Sequence, residues 1–158
     1  MTSPDEIRRA NERFASEFRH GELPREPALR VVIVTCMDAR IDPLALLGLE
    51  PGDANVLRNA GGIVTDDVLR SLAVSCAVLG TRQAIVIGHT NCGLEGARNE
   101  ALRQLLGTQA ELDALPFDDL DEAVRAGVRR IGEFEALPAG FAATGWVYDV
   151  RSGRLRSL

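Results

Sequence analysis

Short, wholly apolar runs alternate along this chain with longer stretches in which apolar residues recur every three or four positions. Val31-Val32-Ile33-Val34-Thr35 and Ala84-Ile85-Val86-Ile87-Gly88 are the clearest runs. Their length and β-branching predict strands covered on both faces. Between them in the chain, a turn at Glu50-Pro51-Gly52-Asp53 precedes a second strand over 54–57, which makes 84–88 the third. Near the end, residues 146–150, a tight turn at 151–154 and a run from Leu155 predict a strand and an added edge strand.

The helical pattern begins at residues 4–19. Ser3 is suited to cap this helix and Pro4 to its first turn, while Ile7, Phe14 and Phe18 recur at near-helical spacing. Residues 21–27 hold two prolines and read as a linker. Asp42-Pro43 opens a short helix ending near Gly48. Thr65 caps a helix over 66–79, with Gly80 as its stop. That helix is apolar almost all round, which predicts burial in a core or at a subunit interface. Two more helices are expected near 94–106 and 118–135. The second sets Leu120, Val124, Val128, Ile131 and Phe134 on one face.

Strands alternating with helices imply an α/β fold with a mostly parallel sheet. Ligands of such sheets bind beyond the carboxyl ends of the strands. At 158 residues the chain predicts a single domain, 1–158. Its net charge of −5 argues against a nucleic-acid partner. No apolar stretch reaches the ~18–20 residues of a membrane span. The first residues are polar and acidic, unlike a signal peptide. With three cysteines, two of them in a metal-like pattern, the expectation is a reducing, cytoplasmic setting rather than a disulfide framework.

The candidate chemistry sits directly after the two clearest strands. Cys36-x-Asp38-x-Arg40 follows the first and His89-x-x-Cys92 follows the third. Two thiolates and an imidazole suit zinc, and three protein ligands leave a fourth position open, the mark of a catalytic site. If the two strands are neighbours, Cys36, His89 and Cys92 meet at one sheet edge. Asp38 then has two mutually exclusive uses. It can close the metal as a fourth ligand, or pair with Arg40 and accept a hydrogen bond from zinc-bound hydroxide. Gly61 and Gly62 lie in a loop whose paired glycines allow close backbone approach. Cys76, on the apolar helix, reads as core.

Three blocks carry a family resemblance: Cys36-Met37-Asp38-Ala39-Arg40, Arg58-Asn59-Ala60-Gly61-Gly62 and Gly88-His89-Thr90-Asn91-Cys92-Gly93. In order and spacing they resemble the signature blocks of the β-class carbonic anhydrases, and the likeness extends over roughly residues 28–158. Met37 and Ala39, where plant-type members commonly have serines, place the chain nearest a short bacterial subgroup. The stretch 26–30 lacks the glutamine that plant-type members carry before the first ligand.

The resemblance implies a parallel four-stranded sheet with an added edge strand, flanked by helices. It implies one zinc per chain on Cys36, His89 and Cys92, and an Asp38–Arg40 dyad that frees or closes the metal. It also implies a homodimer, possibly paired into a tetramer, with residues 1–27 packed on the partner subunit. The implied reaction is reversible hydration of carbon dioxide to bicarbonate and a proton, with Gly61 and Gly62 beside the substrate. Relatives on this scaffold act on carbonyl sulfide or carbon disulfide, so that chemistry stays open. So does a non-enzymatic zinc module closed by Asp38.

Overall fold

The computed structural model describes residues 3–158. The elements in chain order are α1 (Pro4–Glu17), β1 (Val31–Cys36), β2 (Ala54–Asn59), α2 (Asp66–Leu79), β3 (Gln83–His89), α3 (Asn99–Leu106), α4 (Leu120–Gly132), β4 (Ala142–Tyr148) and β5 (Leu155–Ser157). One sheet holds all five strands in the order β2-β1-β3-β4-β5. The first four run parallel and β5 pairs antiparallel with β4. This is the α/β fold expected from the sequence, with its added edge strand.

β1 lies between β2 and β3, and all six of its residues are buried. Its neighbour β3 pairs in register from Val31–Gln83 to Thr35–Ile87. The core packs Val32, Val34, Ala84, Val86 and Val147 from the strands against Val68, Leu69 and Leu72 of α2 and Leu120, Val124 and Ile131 of α4. Each such side chain withdrawn from water contributes roughly 1.5–3 kcal/mol. Gly88 lets α4 settle close to β3, because a Cβ there would lie 2.6 Å from Val124 Cγ2. Thr35, the polar residue of β1, is satisfied by donating its hydroxyl to Ile87 O at 2.9 Å.

The structure corrects several boundaries. α1 stops at Glu17, and Phe18 is its extended C-terminal cap. The short helix before Gly48 is one 3₁₀ turn, Ala45–Leu47. α2 has a single buried face: Val74 and Val78 remain 48% and 60% exposed, so its all-round apolar character is not used within the subunit. α3 begins at Asn99, since the segment before it is a turn bound to Phe117 through Gly96 N–H and Leu94 O. β4 starts four residues earlier than the pattern suggests. Its first half is Ala142, Ala143, Thr144 and Gly145, where the alanines and the glycine have weak strand preference and outweigh the one threonine. A Cβ at Gly145 would meet Val124 at 2.9 Å, so helix packing dictates that composition.

Cys76 is buried, as the sequence suggests. No described helix is long and apolar enough to cross a membrane.

Candidate metal centre

Parallel pairing of β1 with β3 carries the chains of both strands out of the sheet at the same edge. Cys36 is the last residue of β1 and His89 the last of β3. The turn after His89 brings Cys92 back toward them. Asn91 sits in the left-handed region at φ 55°, a conformation asparagine tolerates better than most residues. One ligand atom from each of Cys36, His89 and Cys92 lies within 4.8 Å of the other two, and all three residues are buried. These three residues could hold a metal ion.

His89 is fully buried. Its Nδ1 lies 3.0 Å from Thr90 O. A carbonyl only accepts, so Nδ1 carries the proton and donates it, leaving a lone pair on Nε2. Nε2 is buried with no hydrogen-bond partner. A buried acceptor left this way is costly. Burial also pushes the imidazole pKa down, so the ring is neutral, the form that ligates metals. Burial and the neighbouring Cys36 push the Cys92 thiol up. Two crowded thiols beside an unpartnered imidazole nitrogen fit a soft-to-borderline divalent cation such as zinc, which would hold both sulfurs as thiolates.

Asp38 faces this cluster, with Oδ2 3.9 Å from His89 Nε2. Arg40 holds it bidentately: Nε donates to Oδ1 at 2.9 Å and Nη2 to Oδ2 at 2.7 Å, and the Arg40 backbone N–H adds a third bond to Oδ1. Those bonds hold the Asp38 carboxyl well below the usual carboxylate range. Arg40 Nη2 also donates to Asn91 O at 3.0 Å, linking the loop after β1 to the loop after β3.

A cleft of about 300 Å³ opens beside the cluster, lined by Cys36, Met37, Asp38, Ala60, Gly61, Cys92, Gly93 and Leu94. Apart from Asp38 and the two thiols, the side chains around it are apolar or absent. The paired glycines part company here. Gly61 lines the cleft, while Gly62 lies against β1, where a Cβ would meet Cys36 N at 2.9 Å and Thr35 C at 3.0 Å. The close backbone approach expected of this loop is therefore to the strand that delivers Cys36.

Two contributors were not singled out from the sequence. Thr90 supplies the carbonyl that fixes the His89 tautomer, and its hydroxyl accepts from Val150 N–H at 3.2 Å. Arg58 donates to the backbone around Cys36. Asparagine between two candidate ligands was a readable sign of a left-handed turn; a charged residue on an edge strand gave no such sign.

Comparison with known proteins agrees with this geometry. A family model described as carbonic anhydrase matches residues 31–115. Beta-carbonic anhydrase 1 of Mycobacterium tuberculosis is 38% identical over 100% of this chain and 99% of its own length. A carbon disulfide hydrolase of an Acidianus species is 34% identical over 90% of each chain. The crystal structure of a carbonic anhydrase from Streptococcus mutans superposes with a TM-score of 0.91 at 41% identity, covering 99% of this chain and 98% of that one.

Proposed function

This chain belongs to the β-carbonic anhydrase family and is a carbonic anhydrase-type enzyme, and we propose that its reaction is the reversible hydration of carbon dioxide to bicarbonate, with one zinc ion on Cys36, His89 and Cys92. The observation that carries this reading is the buried, unpartnered Nε2 of His89 set among two thiols beside an apolar cleft.

Zinc bound there would supply Lewis acidity, making a hydroxide nucleophile available near neutral pH. The protein's own groups do the rest. Asp38 is kept ionised by Arg40, so its Oδ2 can only accept. It accepts the nucleophile's O–H and turns the oxygen lone pair toward the cleft. The same fork from Arg40 would restrain Asp38 from becoming a fourth ligand of a metal held there. Met37, Ala60, Gly61 and Leu94 give an apolar linear substrate a place where water is disfavoured. Gly62 acts on the site through the strand rather than by touching substrate.

A second reading has its own support. The carbon disulfide hydrolase relative covers most of this chain, and the same apolar cleft suits another linear triatomic molecule. Stopped-flow carbon dioxide hydration by zinc-quantified protein, scanned over about pH 6 to 9, separates the two. Activity that rises with pH supports the anhydrase reading. Silence toward carbon dioxide together with sulfide release from carbon disulfide replaces it with the second.

The functional unit is a homodimer in this reading. α1 begins with a complete capping box, in which Ser3 and Glu6 satisfy each other's backbone N–H, yet none of its residues is buried. Ile7, Phe14 and Phe18 stay 57%, 63% and 45% exposed. A second copy of the chain covers this stripe, with residues 1–27 as the arm. The free state of all three cysteines supports a reducing, cytoplasmic setting.

A further inference from the structure

Arg58 belongs to the block that supplies Gly61 and Gly62, but the chemistry above leaves it without a role. It sits on the edge strand β2, paired in register with Thr35, while Asn59 pairs with Cys36. Pairing between β1 and β3 ends at Thr35–Ile87. The chain that carries Cys36 and then Asp38 therefore leaves the sheet as it reaches the site. Its Met37 N–H is taken by Asn59 O at 2.9 Å.

The carbonyls on that segment are met by Arg58. Nε donates to Cys36 O at 2.9 Å and Nη2 donates to Asp38 O at 2.7 Å. Asp38 O also receives Ile41 N–H at 3.1 Å, which closes the turn. Among the described residues Arg58 makes no ion pair. Its guanidinium is committed to two peptide groups two residues apart, one carrying a candidate metal thiol and the other the carboxylate that faces it. A planar fork can bracket two such acceptors at a fixed separation, whereas an ammonium on a flexible stem cannot.

We propose that Arg58 is a positioning residue that fixes the Cys36 thiol and the Asp38 carboxylate relative to each other by clamping the carbonyls of both residues. Arg40 holds the Asp38 carboxylate from the side-chain end and Arg58 holds its backbone. With Arg58 removed, the Arg40 pair survives, but Cys36 O and Asp38 O lose the fork that links them, and the segment keeps only Met37 N–H to Asn59 O and Ile41 N–H to Asp38 O to fix the carboxylate. The proposal rests on Cys36 being a metal ligand and does not depend on which triatomic molecule is the substrate.

The test compares Arg58→Ala and Arg58→Lys with the unaltered protein in three readouts. These are the visible spectrum of the cobalt-substituted enzyme, metal retention against a competing chelator, and kcat and KM. Unfolding of the metal-free proteins is followed in parallel. Arg58→Ala is expected to keep the metal-free unfolding midpoint, because the residue is exposed. It is expected to alter the cobalt ligand-field bands and to lower kcat or metal affinity about 10- to 100-fold, the range for residues that orient metal ligands. Arg58→Lys should recover only part of this. An unchanged cobalt spectrum and kcat in Arg58→Ala overturns the proposal. So does full recovery by Arg58→Lys, because one donor would then suffice. If Arg58→Ala unfolds early, the cobalt spectrum of Arg58→Lys decides: altered bands uphold the clamp and unaltered bands refute it. Should the unaltered protein prove inert toward carbon dioxide, the cobalt spectrum still reads the clamp.

Discussion

At the carboxyl ends of β1 and β3, strands with every residue of β1 buried deliver three ligand-type side chains to one point, and nearly every polar group there has a partner. Among the described residues two buried polar side-chain atoms have none, His89 Nε2 at the site and Asn59 Oδ1 on β2. In α1 the N-terminal end is equally well served by the Ser3–Glu6 box, but the helix presents an exposed apolar stripe. The first region offers a lone pair set among two thiols, and the second offers two phenyl rings at an exposed helix face. Each suits a different kind of ligand by its chemistry: the donor set could hold a cation, and the apolar stripe could take another protein face.

The largest expected effect breaks the first half of this comparison. Cys92→Ser replaces a candidate thiolate ligand by a poorly ligating hydroxyl. Zinc per chain should fall well below one, and turnover should drop by more than about 100-fold, since even outer residues around a metal cost 10- to 100-fold. Metal analysis alongside the rate assay checks both. Stoichiometric zinc with full turnover would remove Cys92 from the centre.

The second half is broken by Phe14→Ser with Phe18→Ser. The proposed homodimer would cover four such rings, each already about half covered within its own subunit, so their cover contributes about 3–6 kcal/mol and self-association should weaken by roughly 10²- to 10⁴-fold. Sedimentation over a dilution series would show dissociation. Unchanged self-association would mean that α1 is not the arm.

Legibility in the sequence followed the same divide. β1 and β3 were readable because a continuous β-branched run fits little other than a strand covered on both faces. The ligand set was readable because cysteine and histidine at strand ends have few other uses in combination. That the two motifs meet depended on β1 and β3 being neighbours, which no spacing encodes and the register establishes. Arg58 was illegible because its role is played on backbone carbonyls, which carry no residue identity. The exposed face of α2 was illegible for the opposite reason: Val74 and Val78 look like core, and only packing shows that the subunit does not use them.

A glycine pair sharpens the view of the site as a region with no slack. Gly62 and Gly80 both adopt left-handed φ, at 66° and 69°. A Cβ at Gly80 meets nothing within 4 Å, whereas at Gly62 it meets the backbone of β1. Alanine at either should cost about 1–2 kcal/mol for the conformation. Gly62→Ala should cost about 1–3 kcal/mol more, because backbone must move. It should also weaken metal retention, which Gly80→Ala should leave alone. Equal unfolding midpoints for the two variants would show that the strand yields.

The smallest effect concerns how α1 holds its shape while its apolar stripe waits for cover. Glu6 accepts Ser3 N–H at 2.7 Å, and this bond, with the Ser3 hydroxyl bond, lowers its pKa below the ordinary glutamate value. A carboxylate with a depressed folded pKa contributes stability above its unfolded pKa, and that contribution fades as pH falls through the folded value. The start of α1 should therefore fray on the acid side of the ordinary glutamate range and not near neutrality. Glu6→Gln keeps an acceptor but cannot titrate, so fraying in that variant should lose its pH dependence. Amide-exchange protection at residues 5–7, followed through an acid titration, reads this directly. If the arm is clamped by a partner, protection there should also rise with protein concentration, because association stabilises whatever it covers. Protection that depends on pH but not on concentration would describe a helix held by its cap alone, and would leave Phe14 and Phe18 without the cover that their exposure calls for.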